Sequence, residues 1–315
     1  MSVADARSAF FVDRSTGMLV GLFVLVQLVV AAVSLDAVTT TEAVASQQQG
    51  DVGFSLYMVG IIVLETIVLV TAWRYSSILP DWVWTGVKLG AIGSVVIIGL
   101  RWSVLTNGIR YTAGIVAFSA VAGPLVVKFD TYWILHNIAA LTLTVLFAML
   151  LGGLLEPRAV IAFLLLMTCW DMIAVWRSGW MEGLISVAAD THLPIYYILP
   201  TGAQVDMSRF RTWLADREDE KPDDVGAVLG VGDIAIPAAL VASSALALPA
   251  TSRGWAIAGV TIGGAVAMAV LRVSLSRGST LPALPWITTG TLAGFGVGVL
   301  LSGSSLLAVI GGGIA

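Results

Sequence analysis

Long apolar segments dominate this sequence, and they constrain its fold more than any other feature. Most hold about 17–25 residues, enough for a helix to cross the hydrocarbon core of a bilayer. Backbone groups inside a bilayer must be paired within their own segment, so each segment is predicted to be helical. The nine predicted spans lie near residues 17–38, 53–73, 82–100, 111–128, 132–153, 159–177, 226–248, 254–273 and 287–311.

Composition supports the same class. The chain has 315 residues, of which 58% are hydrophobic and 11% charged, whereas soluble domains carry about 25% charged residues. No soluble fold of this size could bury so much apolar surface, so we expect an all-α, multi-pass protein of the plasma membrane, surrounded by lipid. The single cysteine, Cys169, excludes an internal disulfide and a multi-cysteine metal site. It is expected to be an ordinary buried thiol.

The distribution of Lys and Arg sets the expected orientation. With a cytoplasmic N-terminus, eleven basic residues fall in inside segments and four in outside segments, as the positive-inside rule requires. No nucleic-acid partner is expected, and the sequence does not set an oligomeric state. The predicted regions are a five-span region 1–158, a sixth span 159–177, a cytoplasmic loop 178–225 and a three-span region 226–315.

The cytoplasmic loop is the one long polar connection, and its two halves differ. Residues 193–200 are rich in β-branched and aromatic side chains and end in proline, which favours an extended segment near the membrane surface. Residues 206–224 hold seven acids and four bases and are expected to be solvated.

Few ionisable residues lie deep in the predicted spans: Glu65, Lys88, Asp171 and Asp233, with His136 near the start of the fifth span. Such a group costs about 2.5–3.5 kcal/mol at a helix centre, so each is a functional candidate. Glu65 is expected to be protonated or paired within the bundle, Lys88 to reach the cytoplasmic surface, and His136 to be a polar residue at the interface.

Asp171 and Asp233 stand out because their depths match. Asp171 lies six residues before Arg177 at the cytoplasmic end of its span, a depth of roughly 9 Å. Asp233 follows the start of the next span by about seven residues, roughly 10 Å deep. Gly230 and Gly232 beside it would let another backbone approach.

Two carboxyl groups in contact cannot both ionise cheaply, so they share one proton. The ionised member can then activate a water and the protonated member can polarise a peptide carbonyl, which is peptide hydrolysis without a metal. The alternatives are that each aspartate is a lone polar residue bonded to a neighbouring helix, or part of an ion path.

Three motifs then point to one family. Gly230-Val231-Gly232-Asp233 matches a Gly-x-Gly-Asp motif, Trp170-Asp171 takes the place of a Tyr-Asp motif in the sixth span, and Pro282-Ala283-Leu284 matches a Pro-Ala-Leu motif before the ninth span. In this order, on these spans, they resemble the presenilin and signal peptide peptidase family, and most of all its archaeal presenilin homologues.

The resemblance implies a nine-helix presenilin-like bundle that acts as an intramembrane aspartyl protease without cofactor or metal. Asp171 and Asp233 would be its catalytic pair, and Pro282, Ala283 and Leu284 would shape the active site and help hold substrate. Substrates would be single-pass transmembrane segments, unwound locally before cleavage. Residues 193–200 would then pair with the unwound substrate as an added strand.

Two features depart from the family. Trp170 replaces the usual tyrosine, so any role of that hydroxyl is lost. The short cytoplasmic loop also argues against self-cleavage into two fragments as in presenilins.

Other functions are compatible with parts of this pattern. A transporter or channel would use Asp171, Asp233 and Glu65 as a proton or cation path, but inverted repeats typical of transporters are not evident. Prepilin peptidases share the Gly-x-Gly-Asp motif, yet they have fewer spans and lack the Pro-Ala-Leu element. Neither a Gly-x-Ser-Gly nor a His-Glu-x-x-His motif occurs, which disfavours serine and zinc intramembrane proteases.

Overall fold

The computed structural model describes residues 14–40, 132–178, 194–201, 205–216, 222, 224–275, 282–306 and 309. The predicted second, third and fourth spans, together with Glu65 and Lys88, lie outside these residues. In the described part, five helices are long and apolar enough to cross a membrane, and a sixth apolar helix has 17 residues.

Seven helices and two strands make up this part of the chain. In order they are α1 (Arg14–Thr40), α2 (Trp133–Leu154), α3 (Pro157–Ile173), β1 (Tyr196–Pro200), α4 (Met207–Asp216), β2 (Val225–Gly230), α5 (Val231–Ala247), α6 (Ala250–Leu275) and α7 (Leu284–Leu301). The end of α3 continues as a π-helical turn, Ala174–Ser178. Five predicted spans, the first, fifth, sixth, eighth and ninth, are therefore confirmed as membrane-crossing candidates.

The predicted seventh span begins at the wrong residue. The apolar run from residue 226 was assigned to one helix, but Val225–Gly230 is a strand and α5 starts at Val231. Pairing with β1 takes up the backbone groups of alternate residues of this segment, such as Ala227 and Leu229, which a helix would otherwise satisfy internally. As a result Asp233 lies in the first turn of its helix rather than about two turns inside it.

β1 and β2 form an antiparallel pair, and the β-prone segment predicted from sequence is indeed extended over Tyr196–Pro200. Alternate side chains of β1 face opposite sides. Tyr197 and Leu199 join the main core, whereas Tyr196 and Ile198 join a smaller cluster that includes Phe210 of α4. The sheet thus separates the helical bundle from α4.

Helix α4 lies within the segment predicted to be solvated. Its N-terminus is capped by Asp206, whose carboxylate accepts the backbone N–H groups of Ser208 and Arg209. Its apolar residues pack on the sheet, whereas Ser208, Arg209 and Thr212 are exposed, as in an amphipathic helix.

Helix α5 is the central element of the bundle. Every residue from Ile234 to Ala245 is buried, and α5 packs against α1, α2, α3, α6 and α7. At Gly152 of α2 the backbones come so close that a Cβ atom would lie 2.5 Å from the carbonyl oxygen of Ala239. A helix that is apolar on all sides needs such complete surroundings.

Helices α6 and α7 form a second close pair. A Cβ atom at Gly294 would lie 2.0 Å from the carbonyl oxygen of Gly259, and one at Gly290 would lie 2.4 Å from that of Gly263. Gly290, Gly294 and Gly298 recur every four residues and form one close-packing face, because each contacts the backbone of α6.

Candidate active site

Asp171 lies near the end of α3, one turn before the π-helical turn. Asp171 is 6% exposed, so its carboxyl group is buried. The backbone N–H of Leu284 donates a hydrogen bond of 3.1 Å to its Oδ2 atom. A buried carboxylate needs such donors, because leaving it unpaired costs more than the bond itself contributes.

Asp233 is held by the turn that joins β2 to α5. Gly230 is the N-cap residue with extended backbone (φ −66°, ψ 142°), and Asp233 occupies the third position of the helix. Its carboxyl group accepts the backbone N–H of Gly230, as the acid of a capping box does. The free N–H groups of a helix N-terminus also favour negative charge at this position.

The structure places these two carboxyl groups within electrostatic range of each other. Helix α3 packs against α5, and Asp171 and Asp233 are near enough to repel one another electrostatically. The sequence predicted that the two aspartates lie at the same depth, which is compatible with their being neighbours. Asp233, however, lies in the first turn of its helix rather than deeper in it. Such a pair can hold one proton between two oxygen acids.

The Pro-Ala-Leu segment adjoins the same place. Pro282 and Leu284 are buried, and Ala283 is the N-cap residue of α7. Because Leu284 is the first residue of α7, its N–H has no partner within that helix and is available to Asp171. The segment therefore meets the candidate pair through its backbone.

The two glycines next to Asp233 have different surroundings. A Cβ atom at Gly230 would lie 3.1 Å from Oδ2 of Asp233 and would press on the carboxyl group. A Cβ atom at Gly232 would meet nothing within 4 Å. The absence of a side chain at Gly230 therefore lets the Asp233 carboxyl group keep its position. The absence of one at Gly232 leaves open space beside that carboxyl group.

The neighbours of Asp171 in sequence face elsewhere. Trp170 is 42% exposed, so the tryptophan that replaces the family's tyrosine lies on a different side of α3 from the buried carboxyl group. Cys169 is exposed, so the expectation of a buried thiol is wrong. Among the described residues, no three His, Cys, Asp or Glu side chains converge as metal ligands would.

Sequence reasoning missed a pair of residues that fix β1. Asn137 donates from Nδ2 to the carbonyl oxygen of Ile198 (2.7 Å), and its Oδ1 accepts the N–H of the same residue (2.9 Å). His136 is 1% exposed, and its Nε2 donates to the carbonyl oxygen of Tyr196 (3.0 Å). Adjacent His and Asn at the start of an apolar span were the available signal.

These contacts close one edge of the sheet. Tyr197 and Leu199 bond towards β2, so Tyr196 and Ile198 direct their peptide groups away from it. His136 and Asn137 occupy that side. The hypothesis that residues 193–200 accept a substrate strand therefore fails along the edge that these two side chains cover.

Comparison with known proteins gives consistent results. A family profile described as signal-peptide peptidase, presenilin aspartyl protease matches residues 20–304. A solved structure of a presenilin family intramembrane aspartate protease, in space group C222, aligns with a TM-score of 0.60 at 20% identity, over 91% of this chain and 99% of that one. At that identity the likeness shows the fold alone. A search of curated proteins returns no match.

Proposed function

Because this chain belongs to the signal-peptide peptidase and presenilin aspartyl protease family, we propose that it hydrolyses peptide bonds within the transmembrane segments of single-pass proteins. Asp171 and Asp233 form the acid–base pair. The observation that carries the proposal is the packing of α3 on α5, which places the two carboxyl groups within electrostatic range, together with the bond from the Leu284 N–H to Asp171.

The chemistry follows from a shared proton. The ionised carboxylate removes a proton from a water, whose oxygen attacks the peptide carbonyl carbon. The protonated carboxyl group donates a hydrogen bond to the carbonyl oxygen as negative charge develops there. The tetrahedral intermediate then breaks its C–N bond, and the departing amine takes a proton from the pair. No metal or covalent nucleophile takes part.

The substrate adds as a strand along the side of β2 that faces away from β1. Pairs 197–229 and 199–227 bond across the sheet, so the peptide group of Val228 points away from β1. An unwound substrate segment adds there by backbone hydrogen bonds. From that edge it runs past Gly230 and Gly232 towards Asp233, where Gly232 leaves room for its backbone.

The arrangement in the membrane completes the proposal. The chain crosses the plasma membrane nine times, with its N-terminus in the cytoplasm and the acid pair towards the cytoplasmic side. The five long apolar helices and the central α5 support this count for the part of the chain that the structure describes. Excess Lys and Arg in the predicted inside segments support the orientation.

Cleavage of a single-pass reporter by the purified protein in detergent tests the function. We expect Asp171→Asn and Asp233→Asn each to abolish cleavage, because either change removes the shared acid–base pair. Glu156→Gln is the matched control, since Glu156 pairs with Arg158 at the start of α3, away from the site. It should cleave as the unmodified protein does.

Two results would contradict the proposal. Native-rate cleavage by either aspartate variant would remove the pair from the mechanism. Absence of cleavage together with an ion flux into liposomes that needs both acids would instead indicate a transporter.

A mimic with a hydroxyl in place of the scissile carbonyl should block cleavage, because it resembles the tetrahedral intermediate.

A further inference from the structure

Two threonines, Thr288 buried and Thr168 half-buried, join α3 to α7 one turn away from the acid pair. The hydroxyl groups of Thr168 and Thr288 lie 2.7 Å apart. Thr168 is three residues before Asp171, and Thr288 is four residues after Leu284. The hydroxyl pair and the Asp171–Leu284 bond are thus successive links between the same two antiparallel helices.

The donor in the threonine pair can be assigned. A hydroxyl group has one hydrogen to donate, and Thr168 donates its hydrogen to the carbonyl oxygen of Leu164 (2.8 Å). Thr288 must therefore donate to Thr168. Thr288 is 3% exposed, so water does not replace this bond easily.

We propose that Thr168 and Thr288 are positioning residues for the protease reaction: their bond sets the register of α7 against α3, so that the Leu284 N–H meets Asp171. This inference rests on the proposed function of the acid pair. The Leu284 N–H is fixed to the backbone of α7, so a small slide or rotation of α7 moves it away from the carboxylate. A single hydroxyl pair one turn along opposes such a movement.

Neighbouring polar contacts do not replace this link. The hydroxyl of Thr289, next to Thr288, bonds to the carbonyl oxygen of Pro285 in its own helix (2.8 Å) and is exposed. It therefore adds nothing between α3 and α7. Elsewhere, close α6–α7 packing holds α7 to α6 rather than to α3.

The fold should survive loss of either hydroxyl. In Thr288→Val, Thr168 keeps its bond to Leu164. In Thr168→Val, the Thr288 hydroxyl can turn to the carbonyl oxygen of Leu284 one turn back, as threonines in membrane helices do. Neither variant strands a hydroxyl hydrogen, so activity reports on position rather than on unfolding.

Steady-state cleavage of the reporter by Thr288→Val, Thr168→Val and the double variant tests the inference. We expect kcat to fall about three- to tenfold, the range set by one interhelical hydrogen bond in a membrane, while KM stays within about twofold. The double variant should be no slower than the slower single variant, because both remove one interaction. Thr288→Ser should restore kcat, and Thr289→Val should leave it unchanged.

Equal kcat in Thr288→Val and Thr289→Val would overturn the inference, as would multiplied losses in the double variant. A change confined to KM would do so too. If one valine variant fails to fold, the other gives the same test against Thr288→Ser. Asp171→Asn is measured in parallel: if it is inactive while Thr288→Val is normal, the proposed function stands and only the positioning role is lost.

Discussion

Asn137 acts as a strand partner supplied by a helix. Its side-chain amide forms hydrogen bonds with both the N–H and the carbonyl oxygen of Ile198, as a neighbouring strand would. We expect Asn137→Leu to lower the free energy of unfolding, because the N–H and the carbonyl oxygen of Ile198 both lose their hydrogen-bond partner. Each buried polar group left without a partner costs about 1–3 kcal/mol. Thermal unfolding in detergent measures this. The control is Thr142→Val, whose hydroxyl is exposed and bonds only within α2; equal losses in both variants would contradict the role.

Tyr197 is expected to make the folded protein less stable at alkaline pH. It is fully buried, and burial raises the pKa of its phenol above the usual value, outweighing its hydrogen bond with Thr144. Above a pH of about 10 the unfolded chain therefore loses this proton more readily than the folded protein. The free energy of unfolding should fall as pH rises past that point.

Tyr197→Phe tests this dependence. Near neutral pH it should cost no more than about 1.5 kcal/mol, because Thr144 keeps its bond to the Ala140 carbonyl oxygen. Between pH 9 and roughly 11 its melting temperature should fall less than that of the unmodified protein. Parallel curves for the two proteins would show that Tyr197 does not carry the effect.

At the scale of the element, the sequence predicted the helices better than the short sheet. Hydropathy is a local property, so it located the five long spans. It did not separate β2 from α5, since Val225–Gly230 is as apolar as the helix that follows. What makes these residues a strand is pairing with β1, about thirty residues earlier in sequence, and no local pattern encodes that register.

Close packing of α6 on α7 requires glycine only at the positions where the two backbones touch. Gly294→Ala would force a methyl group against the carbonyl of Gly259, so we expect a loss of about 1–3 kcal/mol in thermal unfolding. Gly296→Ala, on another face of α7, meets only the Leu306 side chain at 3.9 Å. It should be neutral or stabilising, because alanine is the better helix former. Similar melting temperatures for both variants would contradict close backbone packing.

At the scale of the whole molecule, the candidate site is assembled from distant parts of the chain. Depth along two consecutive spans predicted that Asp171 and Asp233 lie level, and α3–α5 packing places them within electrostatic range of each other. The bond between Leu284 and Asp171 was beyond such reasoning, because it joins backbone to side chain across 113 residues. The motif indicated that Pro282, Ala283 and Leu284 matter, whereas the structure supplies the physical contact.

The proposed orientation of the molecule can be tested at the two ends of α5. Arg209 and Arg211 precede α5, so the positive-inside rule assigns that end to the cytoplasm. Thr212 and Thr251 are exposed residues before and after α5. In a Cys169→Ala background, we expect Thr251→Cys to react with a membrane-impermeant maleimide in intact cells, and Thr212→Cys to react only after permeabilisation. Cys169→Ala alone controls for background labelling. The reverse pattern would invert the topology, and labelling of both from outside would show that α5 does not cross the membrane.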